Sequence, residues 1–145
     1  MIPRIAVLVA LASLVLAANA ATAQTLQLIS PDEARLPDAP PLSTRAITRG
    51  PGVKLLTPES GKKESFALKI AFEPRGNSKI DPASVQVIYL KHPQVDLTER
   101  IKSAISAGGI NLSSASAPPG DHPIRVLVRD DEGRQGIATI KLSVR

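Results

Sequence analysis

Cysteine and tryptophan are absent from this chain, and its only methionine is Met1. The aromatic residues are Phe66, Phe72 and Tyr89, and the histidines are His92 and His122. A chain so composed can hold no disulfide framework, no thiolate zinc or iron–sulfur centre and no cysteine nucleophile. It lacks the thioethers of a Met-rich copper site. It also lacks the aromatic platform on which single-stranded nucleic acid stacks. The 18 Lys and Arg exceed the 13 Asp and Glu, giving a net charge of +5, but cations and acids are interspersed along the chain. No basic tract marks a nucleic-acid footprint, so the positive balance reads as a solubility and surface property.

Long apolar runs are scarce. One occupies residues 5–18, interrupted only by Ser13 and preceded by Arg4. It falls short of the roughly 20 residues that span a bilayer. Ala18-Asn19-Ala20 and Ala21-Thr22-Ala23 follow it, both with the small-x-small spacing of a signal peptidase site. Residues 1–23 are therefore expected to be a cleaved signal peptide, cut after Ala23 or else after Ala20. An uncleaved N-terminal anchor is the alternative. No cysteine follows for lipid attachment and no twin-arginine pair precedes the run. The expected location is the periplasm or the extracellular space, with no membrane span in the mature chain.

Residues 24–50 carry Pro31, Pro37, Pro40 and Pro41 among scattered charges, without sustained periodicity. Proline removes backbone donors and favours extended chain, so this stretch is expected to be a flexible tail or linker. Leu26-Gln27-Leu28-Ile29 inside it is the one apolar piece, able to pair with a sheet edge in this molecule or another.

From Pro51 onward the pattern is that of strands. Phe66, Leu68, Ile70 and Phe72 alternate with Ala67, Lys69 and Ala71. Val85, Val87 and Tyr89 form a second alternating set, and Val53 with Leu55 a short one. Ile124, Val126 and Val128 alternate with Arg125, Leu127 and Arg129; Ile140, Leu142 and Val144 alternate with Thr139, Lys141 and Ser143. Period two over such lengths predicts half-buried strands, and the intervening Asp130-Asp131-Glu132-Gly133-Arg134 predicts a hairpin turn. Asp96-Leu97-Thr98-Glu99 has capping-box spacing, and Leu97, Ile101 and Ile105 lie four apart. A helix is therefore predicted over about 96–107, stopped by Gly108-Gly109. Six or so strands in residues 51–145 predict one all-β domain, an antiparallel β-sandwich.

The run Pro118-Pro119-Gly120-Asp121-His122-Pro123-Ile124-Arg125-Val126-Leu127-Val128-Arg129-Asp130-Asp131-Glu132-Gly133-Arg134 resembles the closing hairpin of bacterial immunoglobulin-like domains. Ile80-Asp81-Pro82-Ala83-Ser84-Val85 resembles the approach to a middle strand of that family. The resemblance extends over 51–145 and is firmest over 118–145. It implies an Ig-like sandwich and says almost nothing of activity. His122 stands where the family usually has tyrosine, and the Cys…Trp…Cys core of antibody domains is missing.

No catalytic constellation emerges. No serine sits in a Gly-x-Ser-x-Gly elbow, and neither Gly108-Gly109 nor Gly133-x-x-Gly136 has the setting of a phosphate loop. An enzyme is not expected, nor a cofactor. Asp130, Asp131 and Glu132 lack the alternating spacing of a calcium loop. A metal carrier using His92 and His122 remains an alternative, although nothing fixes a third ligand.

The outward residues offer more. Alternation places Arg125, Leu127 and Arg129 on one outer row and Ile137, Thr139, Lys141 and Ser143 on the next, with Ile88 and Leu90 joining if their strand is a neighbour. An apolar patch with a basic rim exceeds what solvation requires. The candidate binding residues are Ile88, Arg125, Leu127, Arg129, Ile137 and Lys141. Either the tail or helix folds over them, or they engage an envelope protein or an anionic envelope polymer. A structural subunit that self-associates by an edge strand or the tail is the second functional alternative.

Overall fold

Period-two alternation folds into two five-stranded sheets in the computed structural model, which describes residues 25–40, 49–56, 60–61 and 65–145. The expected signal peptide lies outside the described residues. The first sheet contains β1 (Leu26–Gln27), β8 (Gly109–Ser116), β4 (Phe66–Glu73) and β2 (Gly52–Leu55), in that order, with β7 (Ile105–Ser106) also paired to β8. The second runs β3 (Ser60–Gly61), β10 (Gln135–Val144), β9 (Gly120–Asp130), β5 (Ile80–Tyr89) and β6 (Val95–Asp96). The long central pairs are antiparallel; the edge pairs β1–β8 and β3–β10 are parallel. The protein is an all-β sandwich.

The predicted hairpin is present, with Arg129 opposite Gln135 and continuing to Gly120 opposite Val144. Asp130 closes its turn. Its buried carboxylate accepts hydrogen bonds from the amides of Glu132 at 3.1 Å and Arg134 at 2.9 Å, and from Arg134 Nε at 2.9 Å. Burial works against the charge, but these donors outweigh it and hold the carboxyl below its ordinary range.

The inner faces carry the alternating set read from the sequence. Phe66, Leu68, Ile70 and Phe72 face Val85, Val87, Tyr89, Ile124, Val126, Val128, Ile140, Leu142 and Val144 across one buried core, while Val53 and Leu55 pack at its margin. Fully burying such side chains contributes about 1.5–3 kcal/mol apiece. Ile80, Ile110, Leu112, Ala115 and Ala117 complete the core.

The predicted 96–107 helix is much shorter. Helix α2 covers only Thr98–Ile101, a 3-10 turn follows over Lys102–Ala104, and Ile105 is already in β7, opposite Ile110. Leu97 and Ile101 are buried as expected, but Ile105 serves the sheet rather than a helical stripe. One helical turn has little cooperativity of its own, and a β-branched residue beside a free strand edge gains more from pairing. Asp96 Oδ1 accepts the Thr98 amide at 2.9 Å in place of a capping box. The segment carries the chain from the second sheet to the first. Gly109 begins β8 at φ +148°, so close to β4 that a Cβ there would sit 1.9 Å from the Ile70 carbonyl oxygen.

A larger difference concerns the N-terminal segment. The sequence sets residues 24–50 apart as a flexible tail; residues 25–40 instead belong to the packed sandwich. Leu26 lies opposite Ala115 and Gln27 opposite Ser116, the Leu28 amide donates to the Ser116 carbonyl at 2.9 Å, and Leu28 and Ile29 are 0% exposed. Ser30 then starts helix α1 (Pro31–Ala34) with a complete capping box: Ser30 Oγ accepts the Glu33 amide and Glu33 Oε2 accepts the Ser30 amide. Beyond α1, Asp38 pairs with Lys91, the Ala39 amide donates to Leu90 and the Pro37 carbonyl accepts from His92. The prolines do not prevent order, because two adjacent large apolar residues find an open core edge beside β8, and one turn of helix tolerates proline at its first position. Residues 25–40 thus form an arm from the edge of the first sheet to the end of β5 in the second.

Candidate binding face

β9 alternates strictly, its inward residues in the core and its outward ones half-buried or exposed. Cross-strand register then decides which outward residues touch. Ile88, Arg125 and Thr139 lie side by side across β5, β9 and β10, and Gln86, Leu127 and Ile137 form the adjacent row. Ile88, Arg125, Leu127 and Ile137 therefore form one contiguous patch. Arg129 lies at one end, opposite Gln135, and Lys141 at the other, opposite Pro123.

The three cations differ in availability. Lys141 Nζ is 3.0 Å from Asp121 Oδ2, and Asp121 also accepts from Ser143 Oγ at 2.6 Å. The Ser143 hydroxyl, then Lys141, hold the Asp121 carboxyl below its ordinary range. Lys141 is thus partly neutralised. Arg129 is exposed and has no ion pair among the described residues. Its backbone is held by Ser84, whose Oγ accepts the Arg129 amide at 2.8 Å where β5 bulges between Asp81 and Gln86.

Arg125 is the unusual member. Its Nε is buried and has no hydrogen-bond acceptor. It borders a pocket of about 320 Å³ between residues 38–40 of the arm and Leu90, Pro123 and Thr139. A buried donor without an acceptor costs about 1–3 kcal/mol, a cost that an incoming anionic oxygen would remove. The arm therefore borders the patch rather than leaving it open on all sides, and converts one end of it into a pocket. Sequence reasoning placed Arg125 on this face; the pocket wall from residues 38–40 had no signal in the pattern.

The histidines do different work. His122 is 2% exposed. Its Nε2 lies 2.7 Å from the Pro118 carbonyl oxygen and its Nδ1 2.9 Å from the Tyr89 hydroxyl. A carbonyl only accepts, so Nε2 carries a hydrogen, and the phenol donates to Nδ1. Both ring nitrogens are committed to structure, which leaves none for a metal. His92 is exposed on the turn after β5. Among the described residues no three His, Asp or Glu side chains are grouped to hold a metal ion, and no helix is long and apolar enough to cross a membrane.

Residues the sequence reading passed over hold the arm. Arg100 grips Glu33 with two nitrogens, at 2.5 and 2.8 Å, and donates to the Leu28 carbonyl at 2.9 Å. Lys91 Nζ, almost wholly buried, meets Asp38 Oδ1 at 2.5 Å and lies 5.6 Å from the Tyr89 ring centre. Ser30-Pro31-Asp32-Glu33 has the legible signature of a helix start. Comparison with family models, with curated proteins and with solved structures gave no match.

Proposed function

We propose that this protein is a secreted or periplasmic immunoglobulin-like module of a bacterial envelope, and that it binds rather than catalyses. Its partner is an envelope protein or polymer that presents carboxylate or other anionic oxygens beside apolar surface. The binding residues are Ile88, Arg125, Leu127, Arg129 and Ile137, with Lys141 at the margin. The observation that carries the reading is Arg125, a residue that lines a pocket next to the apolar patch and whose buried Nε has no acceptor. A charged donor held ready in a partly desolvated setting favours an anionic group that arrives with its own apolar neighbours.

The immunoglobulin-like part of the proposal draws support from strand order. β2, β4 and β8 stand in one sheet and β5, β9 and β10 in the other, the division expected of strands A, B, E and C, F, G. The bond from His122 back to Pro118 is the counterpart of a tyrosine corner, with imidazole in place of phenol.

The test is binding of the exported protein to two probes, a poly-glutamate peptide and an envelope extract, at low and high salt. The wild type should retain both at low salt and release them at high salt. Arg125→Glu with Arg129→Glu should abolish retention, while Lys69→Glu on the opposite sheet should not. Equal retention by the double variant removes the site assignment, and no retention by the wild type removes the function.

A further inference from the structure

The pocket at Arg125 has walls that are bonded to one another. The Leu90 amide donates to the Pro123 carbonyl at 3.0 Å, and the Ala39 amide donates to the Leu90 carbonyl at 3.4 Å. Lys91 Nζ holds the Asp38 carboxylate at 2.5 Å. The arm, the end of β5 and β9 are thereby fixed around one cavity of about 320 Å³.

Its lining is chemically sparse. Ala39, Pro40, Leu90 and Pro123 are apolar, and they offer a ligand no amide: the prolines have none, and the other two are bonded. The polar lining consists of three side chains. Arg125 donates, Asp38 accepts, and the Thr139 hydroxyl does either. Asp38 is matched by Lys91, whereas Arg125 has no ion pair among the described residues and its buried Nε has no acceptor.

Charge narrows the ligand. One unmatched guanidinium suits a singly charged anion, and the fork of Nε and its neighbouring Nη fits a planar carboxylate. A phosphate dianion would bring a second charge with no cation to meet it, beside the Asp38 carboxylate. Size narrows it further, because a cavity of about 320 Å³ is at the small end of ligand pockets. It has room for the end of a chain and not for a folded-in stretch of polymer.

A C-terminal residue carries its carboxylate and its side chain on one carbon, so both enter together. The carboxylate meets Arg125, the side chain meets Leu90 and the prolines, and the residue's amide N–H finds an acceptor in Asp38. An aspartate or glutamate side chain brings no second group for the apolar walls. The residues before the chain end then meet Leu127 and Ile137, in the row next to Arg125 on the sheet.

We infer that the Arg125 pocket captures the C-terminal carboxylate of a peptide whose last residue has a small apolar side chain. The inference rests on the proposed binding function and specifies which anionic oxygens enter the pocket.

The test is an NMR titration of the full exported chain with four probes: N-acetyl-isoleucyl-leucyl-alanine, its C-terminal amide, propionate and inorganic phosphate. The peptide acid should bind at least about tenfold more tightly than its amide or phosphate, the difference expected for one charge-assisted pair. Its binding should move the Arg125 Nε–H resonance, which the amide should leave in place. Arg125→Lys keeps the charge but loses the fork, and should weaken the acid by about tenfold while the core resonances stay put. Equal binding of acid and amide, no binding of either, or tighter binding of phosphate overturns the inference. Propionate as tight as the peptide acid overturns the assignment to a chain end, in favour of free monocarboxylates. The two readings fail separately. Retention of envelope extract without preference for the acid overturns this inference alone. Preference for the acid without retention of extract supports the pocket and removes the envelope partner.

Discussion

Arg100 and Glu33 form a two-pronged ion pair, Nη2 to Oε1 at 2.5 Å and Nη1 to Oε2 at 2.8 Å, between the helix that links the sheets and the arm that closes one sheet edge. The Arg100 hydrogen bonds lower the Glu33 carboxyl to about 2, against the opposing effect of burial. A carboxylate whose pKa is depressed on folding stabilises the fold above its unfolded value near 4.5, and that stabilisation is lost as pH falls toward 2. The shift converts to about 3 kcal/mol, and solvent at the one-third exposed Arg100 side chain reduces this to about 2 kcal/mol. Urea unfolding of wild type and Glu33→Gln should therefore differ by about 2 kcal/mol at neutral pH. The difference should shrink steadily from about pH 5 to about pH 2. A gap independent of pH would show that the pair contributes nothing through charge.

Leu28 and Ile29 make the arm part of the core rather than an appendage. Leu28→Ala and Ile29→Ala should each lower stability by about 2–5 kcal/mol, the range for emptying a fully buried aliphatic site. Gln27→Ala, exposed on the same strand, should change it by less than about 0.5 kcal/mol. Denaturant midpoints check this directly. Equal, small effects at all three positions would return residues 25–40 to the status of a tail.

Tyr89 and His122 act as a unit. The phenol is pushed up to about 12, chiefly by burial and secondarily by the Asp38 and Glu33 carboxylates, so the hydroxyl remains a donor through the physiological range. His122→Ala strands both the hydroxyl and the Pro118 carbonyl, and should cost about 2–4 kcal/mol. Tyr89→Phe should cost about 1–2 kcal/mol. The double variant should cost less than the sum by about 1 kcal/mol, the coupling expected of partners in one buried bond. Strict additivity in the cycle would show that the bond contributes no stability.

Gly109 and Gly76 both have positive φ, at +148° and +61°, but only one is crowded. At Gly109 a Cβ meets the Ile70 carbonyl oxygen, and no flexible side chain is there to yield. Gly109→Ala should therefore cost about 3 kcal/mol or more and weaken amide exchange protection across β4 and β8. Gly76→Ala, with nothing within 4 Å, should cost only about 1–2 kcal/mol, the intrinsic strain of the conformation. Similar thermal midpoints for the two variants would contradict the close approach of β8 to β4.

Strands with uninterrupted alternation were legible from the residues alone. Phe66 to Phe72, and Ile124 to Val128 with Ile140 to Val144, can bury one face in only one way, so core set and hairpin register follow together. β8 was harder to see. Its pairing with β4 slips between Phe66 and Leu68, and Ser113 with Ser114 interrupts the apolar rhythm. The candidate face was partly legible for the same reason as the core: outward residues are fixed once inward ones are. Which cations on it are paired was not. Among the described residues Lys141 is tempered by Asp121, whereas Arg125 and Arg129 have no ion pair, and that depends on which side chains end up within about 3 Å.

The amino-acid sequence by itself determined the all-β architecture, the inner and outer faces of the long strands and the turn at Asp130, because these are local periodicities acting on neighbouring residues. Only the tertiary structure decided the fate of the arm, the brevity of the linking helix and the isolation of Arg125. Those outcomes depend on contacts between segments far apart in the chain. A two-residue strand such as Leu26–Gln27 carries no period of its own, and its conformation is set by the β8 edge to which it pairs.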